Sequence, residues 1–242
     1  MQPLQSVVGQ PWYSYYLIEA DGIFKTQEEI NNHTHTNTET GETSLIQPAA
    51  KPGDIRFVDF NNDGIINDGD RQYMGAYDYP DFSYGFTLGA TWKGFGLSLF
   101  WQGVSGVNVF NGVRAMSSSG LKGWNMTTDI LQSFEYNPNS GIPRLSFVDD
   151  PNGNYSKVSS YFLEKADYLR LKNVNLSYTL PRSLVDRIGG VGKTDIRVYA
   201  NAENVLTITD YSAFDPEVGN LGIDGGRFPV SRMFSLGINV SF

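Results

Sequence analysis

Residues Ser231 to Phe242 (SRMFSLGINVSF) alternate with a period of two. Phe234, Leu236, Ile238, Val240 and Phe242 are apolar, and Ser235, Gly237, Asn239 and Ser241 between them are small or polar. Successive side chains of a β-strand point to opposite sides, so this stretch carries one apolar and one polar face. Such a strand suits a soluble sandwich. It also suits an outer-membrane barrel, whose strands turn apolar side chains to lipid and polar ones to the lumen. The stretch ends on an aromatic residue with no tail after it.

The same alternation recurs upstream. Phe82, Tyr84, Phe86, Leu88, Ala90 and Trp92 share one side, and Ser83, Gly85, Thr87, Gly89 and Thr91 share the other. These 11 residues match the roughly 9–11 of a tilted membrane strand, about twice the length of an ordinary soluble strand. Lys93-Gly94 reads as a tight turn. Phe95, Leu97, Leu99 and Trp101 then resume the apolar side, with Gly96, Ser98 and Gln102 opposite. Trp92 and Trp101 are placed for an interfacial aromatic belt.

Tyr168 to Leu180 forms a further strand. Its apolar phase slips near Lys172-Asn173, from Leu169 and Leu171 to Val174, Leu176, Tyr178 and Leu180, which predicts a β-bulge. Pro181 ends it, and Ser183 to Ile188 reads as a short helical turn before Gly189-Gly190. Asp195 to Val205 alternates Ile196, Val198, Ala200 and Ala202 against Arg197, Tyr199, Asn201 and Glu203. Trp12 to Phe24 reads as an earlier, less regular strand.

The reading gives about six strands, and their connections alternate in length. Residues 25–81, 104–160 and 206–230 are long; residues 93–94 and 181–194 are short. Outer-membrane barrels have short turns at the periplasmic rim and long loops outside, which puts Phe242 at the periplasmic rim. The expected class is all-β: an antiparallel transmembrane barrel with long extracellular loops. Six strands are too few to close around a polar lumen, since small barrels need roughly 8. Residues 1–242 therefore read as one segment, the terminal arc of a large barrel.

Composition sets the other limits. The chain carries 18 Lys and Arg against 26 Asp and Glu, a net charge of −8. That disfavours a nucleic-acid partner, whose phosphates need a basic surface. It has no Cys, which removes disulfides and thiol chemistry. No apolar run approaches the roughly 18 residues of a spanning helix. Met1 to Gln5 has neither the basic region nor the apolar core of a secretory signal. As a natural start it points to a cytoplasmic protein; the strands point instead to a piece of a longer chain.

One stretch carries the spacing of a calcium loop, Asp59 to Asp70 (DFNNDGIINDGD). Such a loop needs oxygens at positions 1, 3, 5, 7, 9 and 12 and glycine at position 6. The matching residues are Asp59, Asn61, Asp63, the carbonyl of Ile65, Asn67 (directly or through water) and Asp70. Gly64 is at position 6, and Ile66 fills the apolar position 8. Two features depart from the pattern: position 12 is Asp, shorter than the usual Glu, and the flanks read as strands. The competing reading is a metal-free turn rich in Asp, Asn and Gly.

Other chemistry is thinly supported. His33 and His35 are the only histidines and lie in a Thr- and Asn-rich run that reads as an exposed flexible loop. Glu28-Glu29 and Asp149-Asp150 are sequence neighbours, not a pair facing across a glycosidic bond. Gly189-Gly-Val-Gly-Lys193 lacks the right frame and the strand-to-helix context of a phosphate loop. No catalytic set emerges, so an enzyme is not expected. Trp124, Tyr136 and Tyr155 either stack on sugars or pack their loop, and packing is the favoured reading.

Taken together, Glu19-Ala-Asp-Gly-Ile-Phe24 with Gln27-Glu-Glu-Ile30, Pro52-Gly-Asp-Ile-Arg-Phe57 before the Asp59 loop, and Tyr168-Leu-Arg-Leu-Lys-Asn-Val-Asn-Leu-Ser-Tyr-Thr-Leu-Pro181 carry a family likeness. With Tyr199-Ala-Asn-Ala-Glu-Asn204 and the aromatic end, the chain resembles the carboxyl-terminal part of a TonB-dependent outer-membrane transporter of the SusC/RagA type found in Bacteroidetes. The resemblance implies a plugged barrel of about 22 strands, of which this is about the last quarter. It implies TonB-driven uptake of large nutrients, oligosaccharides or peptides, and a SusD-type surface lipoprotein over the outer loops. It also implies outer-membrane lipid around the wall and recognition of Phe242 by the barrel-assembly machinery. The competing reading is a soluble extracellular β-sandwich that binds calcium and glycans.

Overall fold

The computed structural model describes residues 2–123, 125–187, 194–217 and 221–242. The chain divides into two compact units. One comprises Met1–Asp78, Asn108–Glu164 and Val218–Arg227, and the other Tyr79–Val107, Lys165–Glu217 and Phe228–Phe242.

The second unit is a five-stranded antiparallel sheet of Phe82–Trp92, Phe95–Ser105, Tyr168–Thr179, Asp195–Thr209 and Met233–Ser241. Each strand pairs with the next in sequence. The register lines up rows across the whole sheet. Leu88, Leu99, Val174, Ala202 and Phe234 form one row, and Gly89, Ser98, Asn175, Asn201 and Ser235 form the next. Partners directly opposite point to the same side, so the five alternations add up to one apolar face and one polar face. Leu236 is 87% exposed, Phe234 76% and Ile238 69%. Among the described residues, no second sheet covers that apolar face, as a sandwich would require.

The bulge falls where the phase slips. Leu171 faces Leu206 and Asn173 faces Glu203, so Lys172 alone opposes Asn204 and Val205. Asn204 adopts φ 54° there. The extra residues return Leu169 and Leu171 to the apolar side. Lys93 (φ 47°) and Gly94 (φ 90°) are both left-handed, the geometry of a two-residue hairpin turn. Residues 93–94 and 180–194 join strands at one end of the sheet, and residues 106–167 and 210–232 at the other. Loop length is therefore sorted by end, as expected. Arg182–Arg187 forms the short helix after Pro181; Ile188 to Lys193, with Gly189-Gly190, lie outside the described residues.

The strand count needs correction. Trp12 to Phe24 supplies no strand to this sheet, which has five strands, not six. Ser14–Ile18 instead joins Leu4–Gln5 and Arg71–Tyr77 in a separate three-stranded sheet of the first unit, and Ala20–Ile23 pairs with Ile55–Phe57. The reason is burial on both sides: Ser14, Tyr15, Leu17 and Ile18 are all buried. Such a strand has no face to offer lipid. Tyr15 and Leu17 pack with Ala76, Phe110, Tyr155 and Phe162, and Ile18 packs with Ile55, Phe57 and Ile66. Among the described residues, no helix is long and apolar enough to cross a membrane.

Candidate functional site

The Asp59–Asp70 loop leaves the short strand Ile55–Phe57 and enters the strand Arg71–Tyr77. Its flanks are strands, as the sequence indicates. Ile66 is 9% exposed within the Ile18, Ile55 and Phe57 cluster, so position 8 anchors the loop to the core. Gly64 has φ +82°, and a Cβ there would lie 3.0 Å from the His35 ring. Glycine is thus required for both conformation and space.

Three of the loop's acids bond to donors within the loop. Asp59 Oδ1 and Oδ2 accept from the N–H groups of Asp63 (3.1 Å) and Gly64 (2.8 Å). Asp70 is fully buried and accepts from the N–H groups of Phe60 (3.0 Å) and Asn67 (2.7 Å). Asp63 accepts from the Asn61 amide (2.9 Å) and the Ile65 N–H (2.9 Å). These two bonds, the Asn61 one foremost, hold its exposed carboxyl below the usual carboxylate range. Oxygens of Asp59, Asp63 and Asp70 all lie within 4.8 Å of one another. Oxygens bound to one calcium at 2.3–2.6 Å are at most about 5.2 Å apart, so the spacing fits. Each carboxylate still has lone pairs beyond those engaged. The Asn61 Oδ1 accepts from Asp63 (3.1 Å), and the Ile65 carbonyl from the Asn67 amide (3.2 Å).

The histidine run is more ordered than expected: Thr34–Thr36 pairs with Thr43–Leu45 in a small hairpin. His33 packs edge-on against Phe24 at 5.4 Å, and burial lowers its pKa. His35 instead meets the Asn62 side chain at 3.2 Å. Of the paired acids, Glu29 accepts from the Lys25 N–H, and Asp150 from the N–H groups of Asn154, Tyr155 and Ser156. Both are local caps. Tyr155 is buried in the core, whereas Tyr136 is 73% exposed. Trp124 lies outside the described residues.

Two polar clusters escaped the sequence reading. In the first unit, Asp54, Asn152 and Asn154 are buried together with Gln47. Asp54 accepts from Asn154 Nδ2 (2.7 Å) and Lys51 N–H (2.8 Å), and Arg144 Nε lies 2.6 Å from it, off the hydrogen-bonding direction. We count that contact as an ion pair. In the second unit, Arg170 on the polar face holds Asp215 (2.5 Å), Glu217 (2.9 Å) and the Thr207 hydroxyl (2.9 Å).

No family model matches the chain. TonB-dependent receptor P3 of Formosa agariphila is 30% identical over 236 residues, covering 93% of this chain and 22% of the receptor. TonB-dependent receptor SusC of Bacteroides thetaiotaomicron is 30% identical over 193 residues, 79% of this chain and 18% of SusC. The chain belongs to the SusC-like TonB-dependent receptors. The solved RagAB peptide transporter superposes over all of this chain with a TM-score of 0.67 at 26% identity, and its closed-closed state gives 0.68. This chain covers 25% of that solved chain, and about a fifth to a quarter of the receptors it matches. Receptors of this family are outer-membrane proteins, and the relatives are named as receptors and transporters, not enzymes.

Proposed function

We propose that this chain forms the carboxyl-terminal part of the barrel wall, with long extracellular connections, in an importer of large nutrients driven through TonB. The observation that carries this reading is the set of rows running across all five strands, apolar on one face and polar on the other. Lipid takes the apolar face, and the long connections 106–167 and 210–232 lie outside the cell. The short connections and Phe242 lie at the periplasmic rim. The substrates are oligosaccharides or peptides, the name of the RagAB relative favouring peptides, and a SusD-type lipoprotein caps the outer loops. A strain lacking the full receptor is expected to lose growth on one oligosaccharide or oligopeptide class as sole nutrient. The receptor should stay with the outer membrane through a high-salt wash. Recovery in the soluble fraction, with growth unchanged across both classes, contradicts the reading.

We further propose that Asp59, Asn61, Asp63, the Ile65 carbonyl, Asn67 and Asp70 hold a structural calcium ion. The spacing and the convergence of three carboxylates support it. Bound calcium would supply a hard cation that offsets those charges and stiffens the entry into Arg71–Tyr77. Calorimetric titration of the full-length receptor with calcium should give binding heat. In Asp63→Ala the affinity should fall on the order of tenfold or more, since affinity follows ligand charge. No heat, or an unchanged affinity in Asp63→Ala, ends the idea.

A further inference from the structure

The polar face of the sheet carries three cations among the described residues: Arg170, Lys172 at the bulge, and Arg197. Arg170 and Lys172 are both neutralised by Asp215 and Glu217. Arg197 differs. Its Nη2 donates to the Ser177 hydroxyl at 2.7 Å, and among the described residues it makes no ion pair. A guanidinium offers five donors, so four remain. The nearest acid along its own strand, Asp195, is paired instead with Arg182 at 3.5 Å.

Arg197 lines a groove of about 360 Å³ with Thr91, Gly96, Ser177 and Thr179, beside the Lys93-Gly94 turn. Gly96 keeps its floor open, because a Cβ there would stand 2.9 Å from Ser177 Oγ. Trp92, Phe95 and a second cation, Lys93, complete the lining, and Lys93 Nζ lies 4.9 Å over the Trp92 ring. The fork of Arg197 matches a planar carboxylate, since a guanidinium and a carboxylate bond in parallel.

We propose that the groove at Arg197 is a binding site for one carboxylate group. The group comes either from another part of the same polypeptide, most of which lies outside this chain's share of its relatives, or from a free carboxylate ligand. The assignment rests on the groove alone, so it stands or falls separately from nutrient uptake.

The test is phenylglyoxal modification of the full-length receptor in detergent, with the adduct on Arg197 read by peptide mass spectrometry against the denatured chain. The expected result is modification slowed at least about tenfold, with the protection lost once the receptor's carboxylates have been amidated with a carbodiimide. That outcome assigns an internal carboxylate. An Arg197 that reacts freely but is protected by succinate assigns a free one. Two results overturn the proposal: Arg197 reacting as in the denatured chain with or without succinate, or protection that survives amidation and so reflects plain burial.

Discussion

Arg170→Met is expected to destabilise the folded receptor by about 3–5 kcal/mol, the usual cost of removing one partner from a buried ion pair. The Arg170 side chain is 2% exposed and Asp215 12%, so the substitution leaves a carboxylate with little access to water. The 2.5 Å contact with Asp215 carries most of the effect. Glu217 is 39% exposed and shares Lys172, so its share is screened and small. Arg170 also stacks on Tyr168 at 5.3 Å and bonds Thr207. Asp215 in turn accepts from the Glu217 and Val230 N–H groups, so Arg170 fastens both ends of this connection to the polar face. The denaturant midpoint should fall, and proteolysis within 210–232 should quicken. Removing both charges, Arg170→Met with Asp215→Leu, should recover most of the loss, because no unpaired charge then remains. A single-mutant change within about 0.5 kcal/mol, the range of ordinary surface substitutions, contradicts this account.

The second large effect is expected from Asp54→Ala in the first unit, again about 3–5 kcal/mol. Asp54 is fully buried and gathers Arg144, Asn154 and the Lys51 N–H. Asn154 bonds the Ile55 N–H (2.9 Å), Asn152 bonds the Ile55 carbonyl (2.9 Å), and Gln47 accepts from the Phe57 N–H (2.8 Å). The network thus satisfies the backbone of Ile55–Phe57 with side chains up to 99 residues away. Buried polar groups are costly when only partly satisfied, so truncating the central acid strands Arg144 and Asn154 together. Asp54→Asn, which keeps the shape and one acceptor, should lose less than Asp54→Ala. Equal stability of wild type and Asp54→Ala, read from denaturant melts, rules the network out as a support of the first unit.

Much of the five-stranded sheet was legible because alternation is local. Phe82 to Trp92 states its own two faces, and the phase slip at Lys172 states its bulge. The sorted loops follow from counting residues between strands. The strand count failed at Trp12 to Phe24 because a strand covered on both sides loses its alternation, and only its partners Leu4–Gln5 and Arg71–Tyr77 explain its burial. The calcium-type loop was legible because its ligands lie within twelve consecutive residues. The Arg170 cluster was not, since Asp215 and Glu217 lie 45 and 47 residues away. Nor was the order of His33 and His35, which depends on pairing of Thr34–Thr36 with Thr43–Leu45.

The central claim is that one face of the sheet meets lipid and the other does not. Leu236 and Ser235 are adjacent in Met233–Ser241 and point to opposite faces. A bimane fluorophore can be attached through cysteine at each position in turn, in the full-length receptor reconstituted into bilayers with brominated phospholipid. The account predicts strong quenching at Leu236 and little at Ser235. Equal quenching at both, or stronger quenching at Ser235, contradicts it.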